Sequence, residues 1–521
     1  MLIVFAFVSL LSLANSYKIL GLFPFPGKSH YAVFNPLMVE LAQKGHNVVN
    51  YNTFPKPHSV PNYHEVDISE CFRLPAKVGI DQMKDMARTG FSAVHLLFEF
   101  IPSYEEISTC KPLMELWNTT EHYDVLITEA FNTDVFFLFG EKLNIPTIAF
   151  HTNVPLPWHS QQMGLPNNPS YLAIQWTGYL PKMSFFERTN NFLIFWYSLF
   201  MYEYECRAKY DEMAPKIFGS SVSKMKDIAS KVDLMLVYNH FTYNWPKPLV
   251  PNVIDVGGLN IKSSKPCPEN IEKFINESKH GVVYFCMGSL LRGETFPPEK
   301  REAFLYAFSK IPQRVLWKWE GDVLPGKSDN IMISKWMPQR DILAHPNVKL
   351  FISHGGLLGT SEAVYEGVPV LGIPIFGDQR TNIKSLEANG AGELLDYNEI
   401  SKEVVLEKIQ RLLNDPKYKE NAKLLSDRYR DRPMSPLDTA VYWTEYVIRH
   451  KGAPHLRTAA ADMPWYQYLL LDVIAFIVAV LVAGLLIIYY TTKFILRAIY
   501  GLICGGGAKK GSSKSDKKKR N

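Results

Sequence analysis

Trp336-Met-Pro-Gln-Arg-Asp-Ile-Leu-Ala-His-Pro-Asn-Val-Lys-Leu-Phe-Ile-Ser-His-Gly-Gly356 is the stretch whose reading decides the fold of this chain. Lys349–Ser353 has the length and apolar character of a buried strand, and His354-Gly-Gly356 is the tight turn at its tip. Thr360 and Ser361 stand near the start of the helix that follows. The pattern repeats at once: Val368–Ile373 is a second short strand, and Asp378-Gln-Arg-Thr-Asn382 follows its tip. Free amides at a helix start, reached across glycines, suit an anionic diphosphate.

The same alternation runs outward in both directions. Gly281–Ser289 is a strand that enters a glycine turn, and Arg314–Trp319 and Asn330–Ser334 read as two more. Nearer the start, Lys18–Phe25 is an apolar strand ending in a Pro/Gly turn. Val33, Phe34, Leu37, Met38 and Leu41 then fall at helical spacing, and Asn47–Tyr51, Asp124–Thr128 and Thr147–Phe150 are further strands. Strands alternating with helices argue for parallel, doubly wound sheets. The expectation is an α/β chain of two similar-sized halves, 17–250 and 251–462, the second ending in a return segment, with the ligand in the cleft between them.

The ends of the chain say where it lives. Residues 1–16 read as a signal peptide, an apolar run closed by Ala14-Asn-Ser16. Leu469–Tyr490 is a 22-residue apolar run broken only by Asp472, enough to cross a hydrocarbon core of about 30 Å. With its flanking aromatics it predicts a transmembrane helix over 465–490 and a cytosolic tail over 491–521. From Lys493 onward nine Lys/Arg against one Asp516 give +8, so the net +5 of the whole leaves the rest slightly acidic. A basic balance confined to a tail excludes nucleic acid as a partner and leaves membrane lipid. Lys518-Lys-Arg-Asn521 is similar to the dilysine retrieval signal of endoplasmic-reticulum membrane proteins. The topology expected is single-pass type I, with Asn118 and Asn276 as sequons on the lumenal side. Six cysteines in 521 residues exclude a disulfide-built scaffold.

From Lys18 to the membrane helix the chain resembles family 1 UDP-glycosyltransferases, and the stretch 336–382 resembles their donor-binding signature. Leu357-Leu358 and Arg432-Pro-Met-Ser-Pro-Leu-Asp-Thr-Ala-Val-Tyr-Trp-Thr-Glu-Tyr446 resemble the insect-type members most. The resemblance implies the GT-B architecture and a metal-free, inverting transfer of a hexose to a small lipophilic acceptor. No cofactor is implied, the UDP-sugar being a co-substrate, and a homo-oligomer is compatible with the reading. UDP-glucose is the donor expected of an insect-type member, UDP-glucuronate the alternative, and a non-catalytic lipophile-binding relative the different-class rival.

Roles follow by resemblance. Trp336 would stack on uracil and Gln339 would contact the nucleoside. Ser289, His354, Gly356 and Thr360 would hold the diphosphate, Glu362 the ribose, and Asp378 and Gln379 the sugar. Many relatives carry Asn where this chain has Leu358, so one side-chain phosphate contact is missing. His30, just after the first strand, would be the base that takes the acceptor proton. A carboxylate must orient it; Asp134 is the choice and Glu129 the second candidate. Trp158, Trp176 and Phe192–Tyr202 are candidate walls of the acceptor pocket.

Overall fold

The computed structural model describes residues 16–56, 59–72, 80–99, 101–289 and 291–504. The expected signal peptide and most of the basic tail therefore lie outside the described residues. The described chain forms a folded body that ends at Ala461 and a second unit that begins at Asp462.

The body holds two wholly parallel sheets. The first comprises β1 (Lys18–Phe23), β2 (Asn47–Asn52), β3 (Tyr63–Asp67), β4 (Val125–Glu129), β5 (Thr147–His151), β6 (Leu234–Val237) and β7 (Val253–Asp255), in the order 3-2-1-4-5-6-7. The second comprises β8 (Val282–Cys286), β9 (Arg314–Lys318), β10 (Ile331–Ser334), β11 (Val348–Ser353), β12 (Val370–Gly372) and β13 (Gly392–Leu394), in the order 10-9-8-11-12-13. Central strands β4, β5, β6 and β8 are buried along their whole length, because helices cover both faces of each sheet; this is why they read as continuous apolar runs. Both orders reverse at the first strand of the sheet, so β1 lies beside β4 and β8 beside β11. Loops leaving such a strand pair open a crevice at the carboxyl ends.

The helices that matter below are α1 (Lys28–Gln43), α2 (Pro157–Met163), α3 (Phe185–Met201), α4 (Gln339–Ala344), α5 (Leu357–Glu366), α6 (Gln379–Ala388), α7 (Pro436–Arg449) and α8 (Leu471–Cys504). One expected boundary shifts, and the expected return segment is helix α7. Val253–Asp255 pairs with β6 in the first sheet, so the crossing between halves follows Asp255 rather than residue 250. Helix α7 returns to pack on α1, where His46 Nε2 lies 3.2 Å from a Glu445 carboxylate oxygen.

In the second unit the expected 465–490 span is divided. Trp465–Tyr468 is a short helix of its own, and Leu470 takes a left-handed conformation, φ 54°. The apolar helix proper is α8, 34 residues and unburied, long and apolar enough to cross a membrane.

Candidate functional site

The first sheet contributes a histidine–carboxylate pair at its reversal point. After β1 the chain turns through Pro24-Phe-Pro-Gly27 into α1, placing His30 in the first turn of that helix. A Cβ on Gly27 would lie 2.5 Å from the Phe25 ring and 3.0 Å from that of His30, so the turn closes on the imidazole only because the residue is glycine. Glu129, the last residue of neighbouring β4, meets it: His30 Nδ1 is 2.5 Å from Glu129 Oε1. Thr152, just beyond β5, donates its hydroxyl to the same carboxylate oxygen at 2.9 Å and lies 3.0 Å from Nδ1.

The Glu129 side chain is only 2% exposed, the His30 side chain 18%. A carboxylate at Nδ1 assigns the ring proton to that nitrogen and leaves Nε2 as the basic atom. Phe25 and Phe131 flank the ring at centroid distances of 4.4 and 4.9 Å. The same Phe25, Glu129 and Phe131 line a cavity of about 250 Å³, whose other walls combine apolar Phe72, Ile101 and Phe136 with polar Glu99, Glu106, Asn132 and Thr133.

Asp134, the preferred orienting acid in the sequence, does not reach His30. It lies beyond the Phe131–Thr133 turn, fully buried, and accepts from Arg207 Nε at 2.9 Å. Burial pushes its pKa up and the Arg207 guanidinium opposes this. A buried carboxylate already engaged by a guanidinium is an internal ion pair; the second candidate, Glu129, holds the place beside the imidazole. The acceptor-wall candidates also move. Trp158 and Trp176 are buried in the core, and neither they nor α3 line the cavity beside His30.

The second sheet contributes the mirror position. Ser289 follows β8 and is exposed, and His354 follows β11. His354 is wedged between two glycines: a Cβ on Gly288 would fall 2.5 Å from its Cε1, and one on Gly356 2.5 Å from its Nε2. Burial, reinforced by the nearby Lys318 ammonium, pulls the His354 pKa down to about 4, so at neutral pH it is an uncharged donor. Gly356 is the N-cap of α5 and carries no side-chain cap, leaving the first-turn amides of Leu357, Leu358 and Gly359 without intrahelical acceptors. Thr360 is different from expectation: it is buried and its hydroxyl donates to the Gly356 carbonyl at 2.9 Å, which ties the helix start rather than offering a diphosphate donor.

Trp336, on the loop between β10 and α4, leaves 63% of its surface exposed, and its carbonyl accepts from Ser334 Oγ at 2.8 Å. Gln339 opens α4 and donates to Glu362 Oε2 at 2.7 Å. Burial raises the Glu362 pKa while that hydrogen bond opposes it. The structure therefore joins Gln339 and Glu362 into one polar edge.

Asp378 immediately precedes α6 without capping it through its side chain, and accepts from Asn382 Nδ2 at 2.7 Å and, from the first half, from Asn153 Nδ2 at 3.1 Å. Burial raises its pKa; the asparagine bonds and the field of His30 lower it. Gln379 turns inward, its Oε1 accepting from the Ile375 and Phe376 amides at 2.8 and 3.2 Å, so its carbonyl holds the β12–α6 loop and only its amide nitrogen is left for a ligand. Three side chains in this constellation escaped the sequence reading: Thr152, Asn153 and Lys318. Each is a polar residue at or just past a strand tip, and that position was their signal. Asn118 and Asn276 are both exposed.

A family model described as UDP-glucoronosyl and UDP-glucosyl transferase matches residues 26–505. The chain is 61% identical over 505 residues to UDP-glycosyltransferase UGT5 of Dactylopius coccus, covering 96% of each. It is 40% identical over 523 residues to UDP-glucosyltransferase 2 of the same species, covering all of this chain and 99% of the relative. Among solved structures, the calicheamicin glycosyltransferase CalG4 is similar with a TM-score of 0.55 at 16% identity, over 84% of this chain and 99% of that one. The likeness to CalG4 is one of fold, the GT-B arrangement of two Rossmann-like domains.

Proposed function

The chain belongs to the UDP-glycosyltransferase family and is an enzyme that uses UDP-sugar donors, and from that premise we propose that it glucosylates a hydroxyl of a small lipophilic acceptor with inversion. The observation that carries the reading is the His30–Glu129–Thr152 cluster, whose Glu129 and flanking Phe25 and Phe131 line a cavity with both apolar and polar walls. His30 Nε2 takes the acceptor proton as the oxygen attacks the anomeric carbon from the face opposite UDP. Glu129 keeps the ring oriented and stabilises the imidazolium that forms. One displacement converts an α-linked donor into a β-glucoside.

On the donor side, Trp336 stacks on uracil and Glu362, positioned by Gln339, accepts the ribose hydroxyls. The α5 amides, Ser289 and neutral His354 receive the diphosphate, which develops charge as the bond to the sugar breaks. Asp378 and the Gln379 amide read the sugar. UDP-glucose is favoured by the 40% identity to a protein named as a glucosyltransferase along its full length. UDP-glucuronate is the second donor reading, since the matched family spans both sugars.

The setting proposed is the endoplasmic-reticulum lumen, with α8 as a type I anchor and the basic tail cytosolic. The Cys71–Cys110 disulfide supports it, because such bonds persist in oxidising compartments; the exposed sequons are compatible with glycosylation there, and the activity with detoxification of lipophiles. The test is to incubate membranes carrying the full chain with UDP-glucose or UDP-glucuronate and a panel of phenols. A β-glucoside, identified by its anomeric proton, is expected. An α-linked product, or tight lipophile binding with no product from either donor, overturns the reading.

A further inference from the structure

The cavity beside His30 brings two kinds of side chain together. Phe25, Phe72, Ile101, Phe131 and Phe136 give it an apolar surface, and Glu99, Glu106 and Glu129 give it three carboxylates. Glu99 is exposed, Glu106 half-buried and Glu129 buried. No lysine or arginine stands among the described lining residues. The wall is therefore acidic as well as aromatic.

Glu129 carries a second, independent observation. Its Oε1 is taken up by His30 and Thr152. Its Oε2 is buried and receives no hydrogen bond from any described residue. A buried carboxylate oxygen left without a donor costs folding free energy, and in a cavity wall an incoming molecule can supply the missing N–H or O–H. The wall itself does not. Asn132, the one side chain with N–H groups among the described lining residues, donates to the Leu97 carbonyl at 3.0 Å.

The acidic edge is held in place. Glu106 and Ser103 cap the short helix Tyr104–Thr109 reciprocally: the Ser103 amide donates to Glu106 Oε2 at 2.6 Å and the Glu106 amide to Ser103 Oγ at 3.1 Å. Just before this helix, the Pro102 carbonyl accepts from the Tyr210 hydroxyl at 2.5 Å. The Cys71–Cys110 disulfide joins the neighbour of Phe72 to the residue that ends the helix, so an apolar wall and an acidic wall are tied to each other. A carboxylate brought into this space meets like charge, whereas an ammonium meets opposite charge and supplies N–H donors to the glutamate oxygens.

We propose that the cavity selects acceptors by charge: an apolar molecule bearing a hydroxyl and an ammonium group is taken in preference to its neutral analogue, and one bearing a carboxylate is rejected. The inference rests on the reading of this cavity as the acceptor site served by His30. The ammonium has no lone pair and does not compete for the sugar. The hydroxyl still gives its proton to His30 and bonds to the anomeric carbon as the bond to UDP breaks.

The test uses the full chain purified in detergent, UDP-glucose, and three phenols of like size that are positive, neutral and negative near neutral pH: 4-(2-aminoethyl)phenol, 4-propylphenol and 3-(4-hydroxyphenyl)propanoate. Values of kcat/KM should fall in that order, the amine standing at least about tenfold above the acid. Glu99→Gln/Glu106→Gln, in which a glutamine oxygen at 106 can still accept the Ser103 amide, should compress that ratio to within about threefold. Turnover of 4-propylphenol should stay within about twofold of wild type, which reports a folded enzyme with its base intact. An amine-to-acid ratio near one in the wild type overturns the proposal, and so does an unchanged ratio in a double variant that still turns over 4-propylphenol. Should the double variant lose that turnover, Glu99→Gln alone, at an exposed position, must lower the ratio; an unchanged ratio there overturns the proposal too. Calorimetric binding of the three phenols to the UDP-loaded enzyme reads the preference without chemistry. Amine-preferring binding with no product from any phenol refutes the transfer reading and leaves charge selection standing; equal binding of amine and acid refutes charge selection whichever phenols are turned over.

Discussion

Replacing Glu129 by glutamine should disable the chemistry while leaving the fold, and the geometry sets the size of the effect. The carboxylate is buried, with Oε1 2.5 Å from His30 Nδ1. When His30 takes the acceptor proton, a positive imidazolium forms with its charge centre about 4 Å from the carboxylate. At an effective dielectric of about 20, that attraction is about 4 kcal/mol, or roughly a thousandfold in rate. A glutamine oxygen that still accepts the Nδ1 proton preserves the tautomer, so the expected loss in kcat is about 10²–10³. Asp134→Asn is the matched comparison. It leaves the buried Arg207 guanidinium short of its partner, a change that costs about 3–5 kcal/mol of stability without touching the base. Initial rates should be measured with saturating UDP-sugar and acceptor, on protein whose thermal transition shows it folded at the assay temperature. Glu129→Gln should lose rate with its transition nearly unmoved; Asp134→Asn should lower the transition and keep the rate of the folded enzyme within about threefold. A folded Asp134→Asn as inactive as Glu129→Gln, or a Glu129→Gln that turns over like wild type, would refute the assignment.

Gly356→Ala would place a methyl 2.5 Å from His354 Nε2, so the affinity for UDP, read by calorimetry, should fall by at least about tenfold (about 1.4 kcal/mol); unchanged affinity would remove His354 from the diphosphate site. Trp336→Ala removes a largely exposed ring, so UDP binding should weaken by about 1–3 kcal/mol, the worth of one base–aromatic stack, while the thermal midpoint stays in place. Burial lowers the pKa of His151 to about 3; the unfolded chain, with an ordinary pKa near 6.5, then binds the extra proton between those values, so stability falls as pH drops below about 6.5. His151→Gln should make the thermal midpoint fall less steeply than wild type between pH 7 and pH 5, and parallel slopes would show that the ring is protonated in the folded state. Cys71→Ser with Cys110→Ser should lower stability by about 2–5 kcal/mol, read as a lower unfolding midpoint under non-reducing conditions only.

The strands and the donor signature were legible because both are local. A buried parallel strand reads as a short apolar run, and its glycine turn follows directly, so β8, β11 and the His354-Gly-Gly356 tip needed no tertiary knowledge. The orienting carboxylate was not legible, because two acids five residues apart straddle the tip of β4. Glu129 is still in register with Phe150 of β5 and faces the crevice. Asp134 has passed through the turn and meets Arg207, a partner 73 residues away, and nothing near either acid in the sequence announces that guanidinium. Thr360 shows the same limit: a hydroxyl at a helix start satisfies its own backbone as readily as a ligand. Strand β3, the Cys71–Cys110 bridge and the division of the membrane segment at Leu470 depend on how neighbouring elements pack. The exposed aromatics Phe192, Trp196 and Phe200 of α3 lie between these cases, since 3.6-residue spacing predicts two faces but not which one the core leaves uncovered.

The sugar end of the site is where the two halves cease to be separable. Asp378 belongs to the second sheet by sequence, yet it accepts from Asn153, which follows the fifth strand of the first. Thr381 hydrogen-bonds the Gln175 carbonyl and Ser385 that of Tyr243, so α6 is stitched to the first half along two turns. The carboxylate proposed to read sugar hydroxyls is therefore held by a side chain of the first half, one residue after the Thr152 that lies 3.0 Å from the proposed base, His30.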